Sequence, residues 1–286
     1  MALAYLTPLV ALIAAACGSD DGPPPDDAPG DAEPEAFVPP LDTDILLADL
    51  HGETGGPPAI GEPTNLTRKP DYDNQPHFTP DGTALWYTSV DPHTGQSDIY
   101  RYELDAARVT RVTQSNPESE YSATPLPDGS GISTIRVEAD STQRLWRFDH
   151  DGSGEAVLLQ EVAPVGYHAW IDENTVVLFV LGDPPTLRLA DLRTGRAEVI
   201  TEDIGRSIQR IPGTFDVSYV QRYGDGTTTI MRLPGDGGAP EAIIEGVGGG
   251  DFHAWAPDGT LLMAEGAVVY AAPPGPTRSW TPVADF

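Results

Sequence analysis

The segment "HFTPDGTALWYTS" (residues 77–89) returns almost unchanged as "HAWAPDGTLLMAE" (residues 253–265). A chain that writes one hairpin twice is built from copies of a single unit, which confines it to stacked or ring-closed repeats. The turn Asp81-Gly82 recurs as Asp128-Gly129, Glu173-Asn174, Gly213-Thr214 and Asp258-Gly259, at intervals of 47, 45, 40 and 45 residues. Asp-Gly and Asn in such places supply the positive φ that tight hairpins need. Each pair therefore marks a reversal between two strands.

From about Leu41 onward short runs rich in Val, Ile, Thr, Tyr and Trp are punctuated by Gly, Pro and Asp, with no helical periodicity. Around the first turn four strands are predicted, over 75–79, 84–90, 98–104 ("DIYRYEL") and 108–113 ("RVTRVT"). The third returns as "RLWRFDH" (144–150), "TLRLADL" (186–192) and "TTIMRLP" (228–234), and appears early as "DILLADL" (44–50). Four antiparallel strands every 40–45 residues imply an all-β, six-bladed β-propeller over residues 41–286. The first element of that region is a third strand with no inner strands before it, and "WTPVADF" completes the blade begun at Phe252. Two readings stay open: five full blades plus a partial sixth, or a natural protein that continues past Phe286, the second being preferred.

The stretch "QPHFTPDGTALWYTSVDPHTGQSDIYRYELDAARVTRVT" resembles the TolB-like, WD40-like (PD40) propeller repeat, with its Pro-x-Phe-Ser-Pro-Asp-Gly, Asp-Ile-Tyr and closing Leu-Thr. Thr79 stands for the Ser, and the closing pair appears as Leu66-Thr67, Val112-Thr113 and Ile200-Thr201. Blades beginning near Tyr167 and Ser207 have lost the Pro-Asp-Gly and are placed by spacing. The resemblance implies interaction rather than catalysis: a scaffold that binds a protein or peptide partner. An alternative, a hydrolase or lyase with a divalent metal at the channel mouth, follows from other six-bladed relatives.

The N-terminal region is a separate unit. Residues 2–16 are almost wholly apolar, too short to span a bilayer and suited to the h-region of an export signal. Ala14, Ala15 and Ala16 before Cys17 resemble a bacterial lipobox, so residues 1–17 read as a lipoprotein signal with Cys17 as the lipidation site. The missing basic n-region and the Ala at position 14 depart from that pattern, and a secreted protein with a stray cysteine is the alternative. Residues 18–40 hold seven acids, seven prolines and no base, and read as a disordered acidic tether. The expected location is the periplasm or cell surface, anchored to a bacterial membrane by lipid. One cysteine permits no internal disulfide.

The formal charge is −28, and removing the tether's seven acids leaves −21. That sign repels nucleic acid and anionic headgroups. A monomer with no cofactor is expected. There is no Gly-x-Ser-x-Gly elbow, no EF-hand spacing, and "GVGGGD" at Gly246 fails the dinucleotide fingerprint.

Loops entering the innermost strand of each blade converge at one mouth of a propeller. Here those loops supply Asn74, Gln75, Glu118, Glu120, Tyr121, Tyr167, His168, Arg206, Gln209 and His253 as candidate binding residues. The default for each is a bond to a neighbouring blade. For His168 and His253, both followed by Ala-Trp, an inter-blade role is favoured over metal ligation, with the ring against the next blade. Arg136, Glu138, Arg144 and Trp146 are read as cross-strand pairs.

Overall fold

The structure is a computed structural model that describes residues 9–12, 43–52, 58–69, 72–275 and 277–286. Cys17 and residues 18–40 lie outside the described residues. Six antiparallel sheets follow one another along the sequence, called here blades A to F. Blade B consists of Tyr72–Phe78, Ala84–Val90, Ser97–Glu103 and Arg108–Arg111, in that spatial order. Blade C begins at Ser119–Pro125, D at Val165–Trp170, E at Ile204–Arg210 and F at His253–Trp255, and each repeats the same four-strand order. Blade A is built differently. Leu9–Leu12 pairs with one edge of Leu46–His51, while Ala59–Ile60 and Thr64–Asn65 share its other edge as an interrupted outer strand.

Burial explains why the blades assemble. Every residue of Ala84–Val90 is buried, and nearly all of Thr175–Val180. Strands covered on both faces read as continuous apolar runs, and a lone sheet would leave both faces wet. The outer strand Arg108–Arg111 is exposed throughout. Separate apolar clusters fill the gaps: Ile45, Leu85 and Tyr87 between A and B; Trp86, Ile99, Ile132 and Phe148 between B and C; Leu145, Trp170 and Leu178 between C and D. Leu187, Ile208 and Tyr219 join D to E, and Ile230, Leu261 and Met263 join E to F. An open row of six sheets would have only five gaps. The sixth cluster, Leu50, Ala256, Leu262 and Ala271, lies between F and A and closes the ring. Thr281–Asp285 is the outer strand of blade F, so closure is by sheet packing rather than by strand exchange.

The hairpin turns follow the sequence with one correction. Gly82, Gly129, Gly213 and Gly259 all take positive φ, between 68° and 86°. Asn174 does not. There the Asp172 carboxylate accepts hydrogen bonds from the Asn174 and Thr175 amides, both at 2.8 Å, and makes the turn without a left-handed residue.

The Asp-Ile and closing Leu-Thr elements of the repeat have a shared physical role. In blade B the Thr113 hydroxyl accepts from the Ile99 amide (2.9 Å) and donates to Asp98 (3.2 Å). Blade A repeats this with Thr67, which accepts from Ile45 (3.1 Å) and donates to Asp44 (3.0 Å). Asn65 donates to the same Asp44 carboxylate at 2.6 Å. Each clamp fastens the end of the outer strand to the start of the third. Thr113→Val keeps the shape but leaves a buried amide and carboxylate short of a partner. We expect it to destabilise the fold by about 1–3 kcal/mol, read from urea unfolding.

Candidate functional site

The innermost strands do not run straight. Register shifts interrupt their pairing between Asn74 and His77 in blade B, and at matching places in blades C, D and E. Gln75 and Ser122, 47 residues apart, both sit at these bulges with positive φ, 55° and 57°. A bulge inserts one residue and re-aims the side chains around it. Here the bulges lie beside the residues that line a cavity of about 540 Å³, bounded by blades B to E on the side where the inner strands begin.

Tyr72, Tyr121 and Tyr167 come together in that cavity with Gln75 and Arg206. Ile135, Val137, Phe179 and Leu181 supply its apolar wall, and Arg222 its second base. Burial pushes the Tyr72 and Tyr167 phenols above the usual tyrosine range, with Arg206 acting on both in the opposite sense. Both hydroxyls therefore keep their protons at neutral pH. The Tyr72 hydroxyl accepts from the Asn74 amide at 3.0 Å, which leaves its proton free to donate. Gln75 ties blade B to blade C: its Oε1 accepts from Thr88 (3.0 Å) and from the Ser122 amide (2.9 Å). Tyr167 meets Phe179 edge-on, ring centres 5.7 Å apart. Among the described residues no carboxylate lines the cavity.

Of the ten residues chosen from sequence, Gln75, Tyr121, Tyr167 and Arg206 line this cavity; Asn74, Glu118 and Gln209 lie outside its lining. The other three sit elsewhere. Glu120 is fully buried, accepting from Arg136 Nε at 2.8 Å, and Arg136 in turn holds Glu155 at 2.8 Å and lies over the Trp146 ring, 4.4 Å from its centre. His168 and His253 are buried against the preceding blade, not the next. His168 Nε2 meets Ser133 Oγ at 2.7 Å, and Trp170 Nε1 donates to that oxygen at 2.9 Å. Blade F copies this with His253, Ser218 and Trp255, at 2.7 and 2.8 Å. Ser133 also donates to the Thr124 carbonyl (3.2 Å) and Ser218 to that of Gln209 (3.2 Å), so each imidazole is the Nε2–H donor to its serine. The serines are 0 % exposed, which withholds these Ser-His contacts from any substrate.

Arg222, Phe179 and Leu181 escaped the sequence reading because they belong to second strands and the turns that follow them. The signal was available: antiparallel pairing sets the end of the second strand beside the start of the first. Among the described residues no group of three His, Cys, Asp or Glu is placed to hold a metal ion. The cross-strand reading holds for Arg144 and Glu138, 3.4 Å apart, with Trp146 Nε1 donating to Glu138 at 2.9 Å.

No family model matches the sequence. An uncharacterized protein of Agrobacterium fabrum is 30% identical over 90 residues, 32% of this chain and 28% of that protein. Among solved structures, TolB from Acinetobacter baumannii superposes with a TM-score of 0.61 at 14% identity, covering 80% of this chain and 56% of that one. The protein thus spans about half the length of that TolB. A component of a nidogen/laminin complex gives 0.58 at 13% identity, covering 82% and 83%. Oligogalacturonate lyase in complex with manganese gives 0.51 at 20%, covering 82% and 72%. Such identities establish architecture alone. The protein has the fold of a TolB-like six-bladed β-propeller.

Proposed function

We propose that this protein is a binding scaffold of the cell envelope, exported and lipid-anchored through Cys17, that engages a protein or peptide partner at the cavity bounded by blades B to E. Maturation at Cys17 would remove the Leu9–Leu12 strand of blade A and leave in place the buried residues of the clusters joining A to B and F. One observation carries the reading: the cavity gathers three tyrosines, two arginines and an apolar wall, with no carboxylate among the described lining residues. Tyrosine and arginine are the residues that dominate interface energetics, because they offer large stiff surfaces with a polar tip. Structural relatives that include TolB and a nidogen/laminin complex support the choice. A hydrolase or lyase using carboxylates and histidine at the same mouth would need those groups where the described lining residues are tyrosines and arginines.

The reading is tested in the native host with a photo-crosslinking residue in place of Leu181, at the cavity wall, and in place of Val109, exposed on the outer strand of blade B. The expected result is a protein adduct at position 181 and none at 109. Equal labelling at both, or none at 181, would contradict it. Intact mass measurement of the same preparation is expected to show acylated Cys17.

A further inference from the structure

We propose that the partner presents a carboxylate to Arg206: an Asp or Glu side chain, or a free C-terminal carboxylate, beside an apolar residue that packs on Phe179 and Leu181. This rests on the reading of the cavity as a peptide-binding site. The protein has 44 acids to 16 bases, and most of the arginines among its described residues pair with carboxylates. Arg101, Arg111, Arg136 and Arg232 all do so. Arg222, the other base of the cavity, is held by Asp251 through two bonds, one of them 2.8 Å from Nε. Arg206 makes no hydrogen bond or ion pair among the described residues. It stands exposed on the innermost strand of blade E, close enough to Tyr72 and Tyr167 to act on both phenols.

With Arg222 taken up by Asp251, Arg206 is the one guanidinium of the cavity lining that has no carboxylate partner among the described residues. The guanidinium offers parallel N–H donors in a plane, which match a carboxylate's two oxygens. The Tyr72 and Tyr167 hydroxyls are further donors that an anion can use and a cation cannot. A phosphate would bring close to two negative charges to a site with one free positive charge, within a field of −28, so a single carboxylate is the better match.

The probe is an immobilised array of random octapeptides, incubated with the purified protein at roughly 0.3 M salt to screen non-specific attraction of basic peptides to the acidic surface. Three proteins are compared: wild type, Arg206→Gln and Tyr167→Ala. Arg206 has no hydrogen-bond or ion-pair partner among the described residues, so Arg206→Gln is expected to unfold at the wild-type temperature. Wild type should select peptides with Asp, Glu or a free C terminus next to an apolar residue, and Arg206→Gln should bind those same peptides at least about tenfold more weakly. Selection without acidic enrichment, or acidic peptides held equally by Arg206→Gln, overturns the inference and leaves the binding site standing. Absence of selection by wild type, or binding untouched by Tyr167→Ala, overturns both.

Discussion

Arg136→Met is expected to destabilise the protein by about 3–5 kcal/mol, a large part of a domain's total stability, because it strands Glu120 as an unpaired charge inside blade C. Glu120 is 0 % exposed, and burial pushes its carboxyl up while the Ser115 and Arg136 hydrogen bonds pull it back. Arg136 also covers the Trp146 and Phe148 rings at 4.4 and 5.0 Å, so the loss includes packing. The diagnostic result comes from the second variant. Glu120→Leu combined with Arg136→Met removes both charges, and should recover all but about 1–2 kcal/mol of the loss, since an apolar pair avoids the desolvation cost altogether. Urea unfolding followed by tryptophan fluorescence measures both. A double variant no better than Arg136→Met alone would show that the pair is not what stabilises this strand.

Acid should loosen the ring through His168 and His253. Burial lowers both imidazoles from 6.5 to about 3, with His77 adding to the effect at His168. They stay neutral in the fold where the unfolded protein protonates near 6.5. Between those values the unfolded state holds more protons, so stability is complete above about pH 6.5 and falls as pH drops towards about 3. The slope is about 1.4 kcal/mol per pH unit for each histidine. At about pH 5 the two together cost roughly 4 kcal/mol. Asp73, Asp98 and Glu120, whose carboxyls burial raises, act in the opposite sense once pH reaches their range. Comparing wild type with the double variant His168→Gln, His253→Gln isolates the share of these two; His77, which burial also lowers, is present in both. The double variant's stability should be lower at about pH 7.5 and much flatter between about pH 7 and 5. An unchanged slope would assign the acid sensitivity elsewhere.

These two sites show where sequence reading succeeds and where it stops. The hairpin turns and the strands around them are local, so spacing and turn chemistry reveal them: the strand expected over 84–90 spans Ala84–Val90 in the fold. Blade A is not local. Its inner position is taken by Leu9–Leu12, a segment far from Leu46–His51 in the sequence and without repeat signature. The same boundary runs through the site. Repeat spacing singled out the segments before each inner strand, and Gln75, Tyr121, Tyr167 and Arg206 come from them. Which neighbours face inward depends on the bulges. A shift of one residue turns Glu120 into the sheet and leaves Tyr121 in the cavity, and no composition signal distinguishes the two. His168 and His253 were indistinguishable from mouth residues until Ser133 and Ser218 on the preceding blades appeared as their partners.

The cavity's role as the binding surface is tested most directly by amide hydrogen exchange, with and without the peptide selected on the array. The account predicts slowed exchange at the inner-strand starts of blades B to E, around Asn74, Tyr121, Tyr167 and Arg206, with the outer strands Arg108–Arg111 and Arg196–Glu202 unchanged. Protection confined to those outer strands, or to the seam between blades F and A, would contradict it.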